Sequence, residues 1–190
     1  SSDLTWSSPA LLTSDALGDR HVDVCFRAGT SEAVAVWAKE TDPSDHLLTL
    51  YYAKWDGILW TAPAAVPGLP EAWISQVRVS TLSDGRVVAA WAEQAADGWR
   101  ILLALFDPTI GWNDTETVQS QLTLVDGLQL HVSPSNVVEL VWHGFELDDD
   151  LFGISKDLGS RGDSWAGPTK LTSGGEIEWQ PTGVVGADGE

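Results

Sequence analysis

LYYAKWDGILWTAP, residues 50–63, reads as a β-strand, a tight Asp56-Gly57 turn and a second short strand opening on Trp60. Asp-Gly between apolar runs is the strongest short-range hairpin signal. A degenerate copy returns about every 52 residues: ALFDPTIGWNDT at 104–115, ISKDLGSRGDSWAGP at 154–168 and LTWSSP at 4–9. Self-similarity at a fixed period marks a repeat architecture, so this stretch decides the fold.

Two tryptophan ladders carry the same period. Trp6, Trp60, Trp112 and Trp165 are spaced by 54, 52 and 53 residues, and Trp37, Trp91 and Trp142 by 54 and 51. Each member of the second ladder closes a run of β-formers: EAVAVW, RVVAAW and NVVELVW. Helical periodicity over 12 or more residues is missing throughout.

The intervals fill with strands and turns. The first unit has strands over 21–26, 33–39, 47–54 and 60–66. The second has 74–80, 87–93, 100–106 and 112–118, with turns at Asp84-Gly85 and Asp97-Gly98. The third has 128–133, 137–144, 151–155 and 165–171. Each unit is a four-stranded antiparallel meander of the size of a β-propeller blade. The expected fold is all-β: three complete blades at 19–69, 70–122 and 123–174, the last strand of a preceding blade in 1–18, and the first strand of a further blade in 175–190. Propellers close with four to eight blades. The chain is therefore expected to be one segment of a 6–8-bladed ring, or to close by assembling with other chains through open blade edges.

Composition narrows the function classes. Among 190 residues there are 11 tryptophans and no methionine, and the net charge is −18. Ten basic residues scattered along the chain do not build the cationic surface that nucleic acid or anionic lipid requires. No apolar run approaches the length of a membrane span. Cys25 is alone, which excludes an intrachain disulfide, and its alternating neighbours Val22, Val24 and Phe26 mark it as a small buried hydrophobe. The absent initiator Met suggests a processed or excised segment, and the expected location is extracellular or at a cell surface.

The turn motifs resemble the Asp-box repeats of the sialidase-like, BNR-type β-propellers, whose box approximates Ser-x-Asp-x-Gly-x-Thr-Trp. Ser155, Asp157 and Gly159 match its first half, with Trp165 three residues late. Asp107, Gly111 and Trp112 keep the Asp, Gly and Trp, and Asp56 to Trp60 is one residue short. Asp56, Asp107 and Asp157, spaced by 51 and 50, are expected at equivalent turns. YYAKWDGILWTAP also looks like repeats of bacterial surface proteins and some propeller lectins. The resemblance implies a structural box, its Asp bonded to backbone amides and its Trp packed between blades.

A sialidase of that family would use three arginines to clamp a carboxylate, a Tyr–Glu nucleophile pair and an Asp acid/base. Arg27 and Arg78 fall on first strands of successive units, but the matching place in the third is near Gln129, and Tyr51 and Tyr52 lie on a third strand. No catalytic residue is assigned. Trp55 and Trp99, outside the ladders like Trp73 and Trp179, are the candidates for stacking on sugar rings. Asp148, Asp149 and Asp150 read as an acidic hairpin loop, solvated or collecting Ca²⁺. Arg161-Gly162-Asp163 spells an integrin tripeptide on an expected turn. His21, His46, His131 and His143 show no metal spacing. The sequence thus points to a non-enzymatic module binding glycans or partner proteins. A sialidase-like hydrolase fragment and a structural, self-assembling segment stay open.

Overall fold

The computed structural model describes residues 11–113, 115–145, 149–159 and 164–172. The expected strands at the two ends, together with Trp6, Asp148, the Arg161-Gly162-Asp163 turn and Trp179, lie wholly or largely outside the described residues. Among the described residues the chain is all-β, with no helix.

Three antiparallel sheets follow one another along the chain. The first runs β1 (Asp19–Phe26), β2 (Ala33–Glu40), β3 (Leu48–Trp55) and β4 (Ala64–Ala65) in spatial order. The second runs β5 (Trp73–Thr81), β6 (Val87–Ala95), β7 (Gly98–Asp107) and β8 (Gly111–Trp112), with β9 (Glu116–Leu122) also paired to β7. The third runs β10 (Asp126–Val132), β11 (Val137–Phe145), β12 (Asp149–Asp157) and β13 (Ala166–Lys170). The Asp84-Gly85 hairpin shows why the turns fall where they do. Gly85 takes φ +84°, which a side chain disfavours, while the Leu82 and Arg86 backbones close the turn.

The outermost strands depart from expectation. The single strand expected over 60–66 is reduced to Ala64–Ala65 plus one bridge between Trp55 and Trp60. Pro63 and Pro67 flank that remnant, and proline gives the ladder no donor. The strand expected over 112–118 is split into β8 and β9. The acidic triplet also moves: β12 begins at Asp149, so Asp149 and Asp150 belong to a strand and not to a hairpin loop.

The sheets pack face to face through alternating side chains. Val34, Val36, Ala38, Leu48 and Leu50 of the first sheet meet Val77, Val79, Ala89, Trp91 and Phe106 of the second. From the opposite face of the second sheet, Val88, Ala90, Ala92, Ile101 and Leu103 meet Leu128, Val138, Leu140 and Trp142 of the third. β2 and β6 therefore read as nearly continuous apolar runs, since both of their faces are covered.

The two ladders occupy repeated places. Trp37, Trp91 and Trp142 are buried at the same position of each second strand, all on the face turned towards the start of the chain. Trp91 and Trp142 thereby lie against the preceding sheet, while Trp37 packs with Ala35, Ala53, Tyr51 and Leu12. In the other ladder Trp112 meets Tyr52 of the first sheet edge-on at 5.5 Å, and Trp165 donates to Glu116 of the second at 3.0 Å. Trp60 rests on its own neighbour Trp55 at 5.7 Å.

Turns add polar links between sheets. Arg27 Nε donates to the Gly85 carbonyl at 2.9 Å, and the Ala28 amide to Thr81 Oγ1 at 3.1 Å. The Ser83 amide donates to Asn136 Oδ1 at 2.7 Å.

Candidate functional site

The Asp residues of the repeat form one kind of turn. Asp56 accepts the amides of Ile58 and Leu59, both at 2.8 Å. Asp107 accepts those of Thr109 at 2.7 Å and Ile110 at 3.3 Å, and Asp157 accepts that of Gly159 at 2.7 Å. Each carboxylate sits at the end of a third strand and replaces missing ladder partners. The amide of Leu59 holds the Asp56 carboxyl below its ordinary range, and that of Thr109 does the same for Asp107. Ser155 lies within β12 opposite Ala166, and Lys156 passes over the Trp165 ring at 5.6 Å. These groups are committed to the scaffold.

The arginines do not converge. Arg27 lies beyond β1, ion-paired with Glu32, while Arg78 is inside β5 and donates to the Val77 carbonyl at 2.8 Å. Register shows that Arg78 corresponds to Asp23 and Gln129, which face Val36 and Val141 as Arg78 faces Ala90. Asp23 instead accepts the Val79 amide at 2.9 Å. The tyrosines are packing residues: Tyr51 tilts on Trp37, and Tyr52 meets Phe106 and Trp112. Cys25 is half-buried, and burial pushes its thiol up to about 12, which favours the protonated thiol at neutral pH.

Asp150 is 3 % exposed and pairs with Lys170 at 2.5 Å. Among the described residues no group of three or more His, Cys, Asp or Glu is arranged to hold a metal.

Trp55 and Trp99 fall in different clefts. Trp55 lines one of about 250 Å³ with Arg27, Lys54 and Asp56. Trp99 lines one of about 420 Å³ together with Arg20, His21, His46, Trp73 and Ser75. This second cleft unites several features. Trp73 and Trp99 both pair with Gln94, so the two indoles and the amide form one row across β5, β6 and β7 on the same face. Two strand spacings, about 9–10 Å, separate the indole-bearing backbones.

The polar wall is unusual. His21 and His46 adopt φ values of +55° and +59°, conformations that side chains other than glycine rarely take. Such outliers cluster at ligand sites, because the surroundings must hold them. Glu40 ties this wall together, accepting from Arg20 at 2.8 Å and lying 3.4 Å from His46 Nδ1. Burial, then the charges of Arg20 and Arg78, lower the His21 pKa and favour a neutral imidazole. Ser75 Oγ is enclosed with no hydrogen-bond partner among the described residues. Among the described residues lining the cleft there is no Asp or Glu, and Glu40 stands behind Arg20 and His46.

Of the residues lining this cleft, the sequence singles out Trp99 as a candidate, and not Trp73, His21 or His46. The available signal was register: the Asp97-Gly98 hairpin sets Gln94 opposite Trp99, and the β5–β6 hairpin then brings Trp73 to the same row.

No known family profile and no curated protein sequence matches this chain. A crystal structure of a protein of unknown function from Dyadobacter fermentans is similar over 80% of this chain and 70% of its own, with 12% identity and a TM-score of 0.36.

Proposed function

We propose that this chain is a non-enzymatic, extracellular carbohydrate-binding module, and that sugar enters the Trp73–Trp99 cleft. In this reading the three sheets are successive blades of a sialidase-like, BNR-type β-propeller of six to eight blades. The ring reading is supported by the chain order of the sheets and by the repeated burial of Trp91 and Trp142 against the preceding sheet.

The observation that carries the binding reading is the Trp73–Gln94–Trp99 row beside two left-handed histidines and an unpartnered hydroxyl. Indole faces take the C–H face of a pyranose, while Ser75 and neutral His21 meet its hydroxyls. The volume of about 420 Å³ lies within the range of small-ligand sites. The side chains on this wall would bind and orient a sugar without cleaving it.

A glycan array followed by titration calorimetry tests the reading. Trp73→Ala and Trp99→Ala are each expected to weaken binding about tenfold or more, while Trp55→Ala leaves it unchanged. An array blank at high protein concentration refutes the reading. So does binding that is lost with Trp55→Ala and kept in the other two.

A further inference from the structure

We propose that the cleft at the outer rim between the first and second sheets binds a proline-rich peptide segment flanked by basic residues. The cleft, of about 460 Å³, opens where the first sheet gives out. β4 ends at Ala65, and the chain crosses to the second sheet through exposed Pro67 and Pro70, with Leu69 packed down on the core between them. Opposite stand Leu102 of β7 and Trp112, the last residue of β8. Tyr52 meets the Trp112 ring edge-on at 5.5 Å and Phe106 tilts on it at 5.3 Å, which fixes the indole in place. Both walls come from consecutive sheets of one chain, so blades added at either end leave this cleft uncovered.

The polar groups of the cleft select the occupant. Among the described residues lining it, Glu93 is the sole carboxylate, and both its oxygens are engaged. Oε1 accepts from Arg100 Nε at 2.9 Å and Nη2 at 2.5 Å, and Oε2 accepts from Trp91 Nε1 at 2.8 Å. Asn113 uses its Oδ1 to accept the Leu105 amide at 2.6 Å. Apart from the Thr115 hydroxyl, the side-chain groups left over are N–H donors. Arg100 Nη1 and Asn113 Nδ2 have no partner among the described residues, and Trp112 Nε1 is enclosed without one. An N–H left without an acceptor is a cost that an incoming carbonyl removes. An anionic ligand is disfavoured, because Glu93 already neutralises Arg100 and the chain carries −18. A sugar hydroxyl brings a donor of its own, for which these side chains keep little acceptor. A polyproline stretch brings carbonyl acceptors and no N–H, on a preformed extended helix whose rings pack on indole, leucine and proline. The net charge of the chain draws basic residues on its flanks.

Titration calorimetry on the whole chain at about 0.15 M salt tests this. The probe is a synthetic peptide of about eight prolines with lysines at each end, compared with a glycine–serine peptide of the same length and flanks. Binding of the proline peptide alone is expected. Trp112→Phe keeps an aromatic ring and removes the N–H, while Asn113→Asp keeps the acceptor for the Leu105 amide and removes the donor. Each is expected to weaken the proline peptide about fivefold to tenfold, with a circular dichroism spectrum matching the parent. Trp99→Ala, in the other cleft, is expected to leave this affinity unchanged, which separates the two sites. Absence of binding at about 1 mM peptide, equal binding of the glycine–serine peptide, an affinity indifferent to both rim variants, or loss with Trp99→Ala overturns the inference.

Discussion

Trp91 and Trp142 hold the same position in neighbouring sheets, yet conservative shortening of each is expected to have very different effects. Both are essentially unexposed. Trp91 Nε1 donates to Glu93 Oε2 at 2.8 Å, and Glu93 is itself buried and held by Arg100 at 2.5 Å. Trp142 Nε1 is buried with no hydrogen-bond partner among the described residues. Trp→Phe leaves a similar cavity at each site, costing about 1–2 kcal/mol. At position 91 the change also removes a bond to a charged acceptor, worth about 1.5–3 kcal/mol. At position 142 it removes an unsatisfied buried donor and returns about 1–3 kcal/mol. Trp91→Phe should therefore cost about 2.5–5 kcal/mol, and Trp142→Phe should fall near neutral. Urea unfolding followed by far-ultraviolet circular dichroism measures both, with the slope compared to confirm an unchanged denatured state. Equal losses, or a larger loss for Trp142→Phe, would refute the reasoning.

Two further outcomes follow from the same structure. Asp56 and Asp107 have folded-state pKa values below those of the unfolded chain, so the unfolded chain binds more protons as acid is added. Their stabilisation is complete above about pH 4 and is lost as pH falls through the folded values. The melting temperature should decline in that window, and the decline should be shallower in the Asp56→Asn/Asp107→Asn double variant. At Gly98, φ is +127° and an added Cβ would lie 2.7 Å from the Leu122 carbonyl oxygen, whereas Gly68 at φ +77° has open space. Gly68→Ala should cost about 1–2 kcal/mol and Gly98→Ala roughly twice that, read from denaturant midpoints.

The first two second strands were legible because covering on both faces writes an apolar run directly into residues 32–37 and 86–91, and the third kept enough of the run over 136–142 although Glu139 is exposed. The Asp turns were legible because Asx geometry needs only a local residue pattern. The fourth strands were not. Pairing at a sheet's outer edge depends on what the neighbour offers, and Pro63 or the break between Trp112 and Glu116 decides it residue by residue. Arg27 and Arg78 looked equivalent by spacing, but Arg78 faces Ala90 as Asp23 faces Val36, so Arg27 falls past the end of β1 while Arg78 stays inside β5. The Trp73–Trp99 cleft was half legible. An indole outside a ladder invites a ligand reading, but left-handed backbone at His21 and His46 is imposed by the surrounding fold and leaves no mark in the residue type.

Because the second sheet contributes to both large cores, its departure would strip two neighbours at once, while either outer sheet can open by forfeiting a single contact layer. In arrays with nearest-neighbour coupling, opening proceeds inward from the ends. The amides of β6 should then be the last to exchange with deuterated solvent, and the midpoint of the polypeptide, rather than either terminus, sets the ceiling on its resistance to proteolysis.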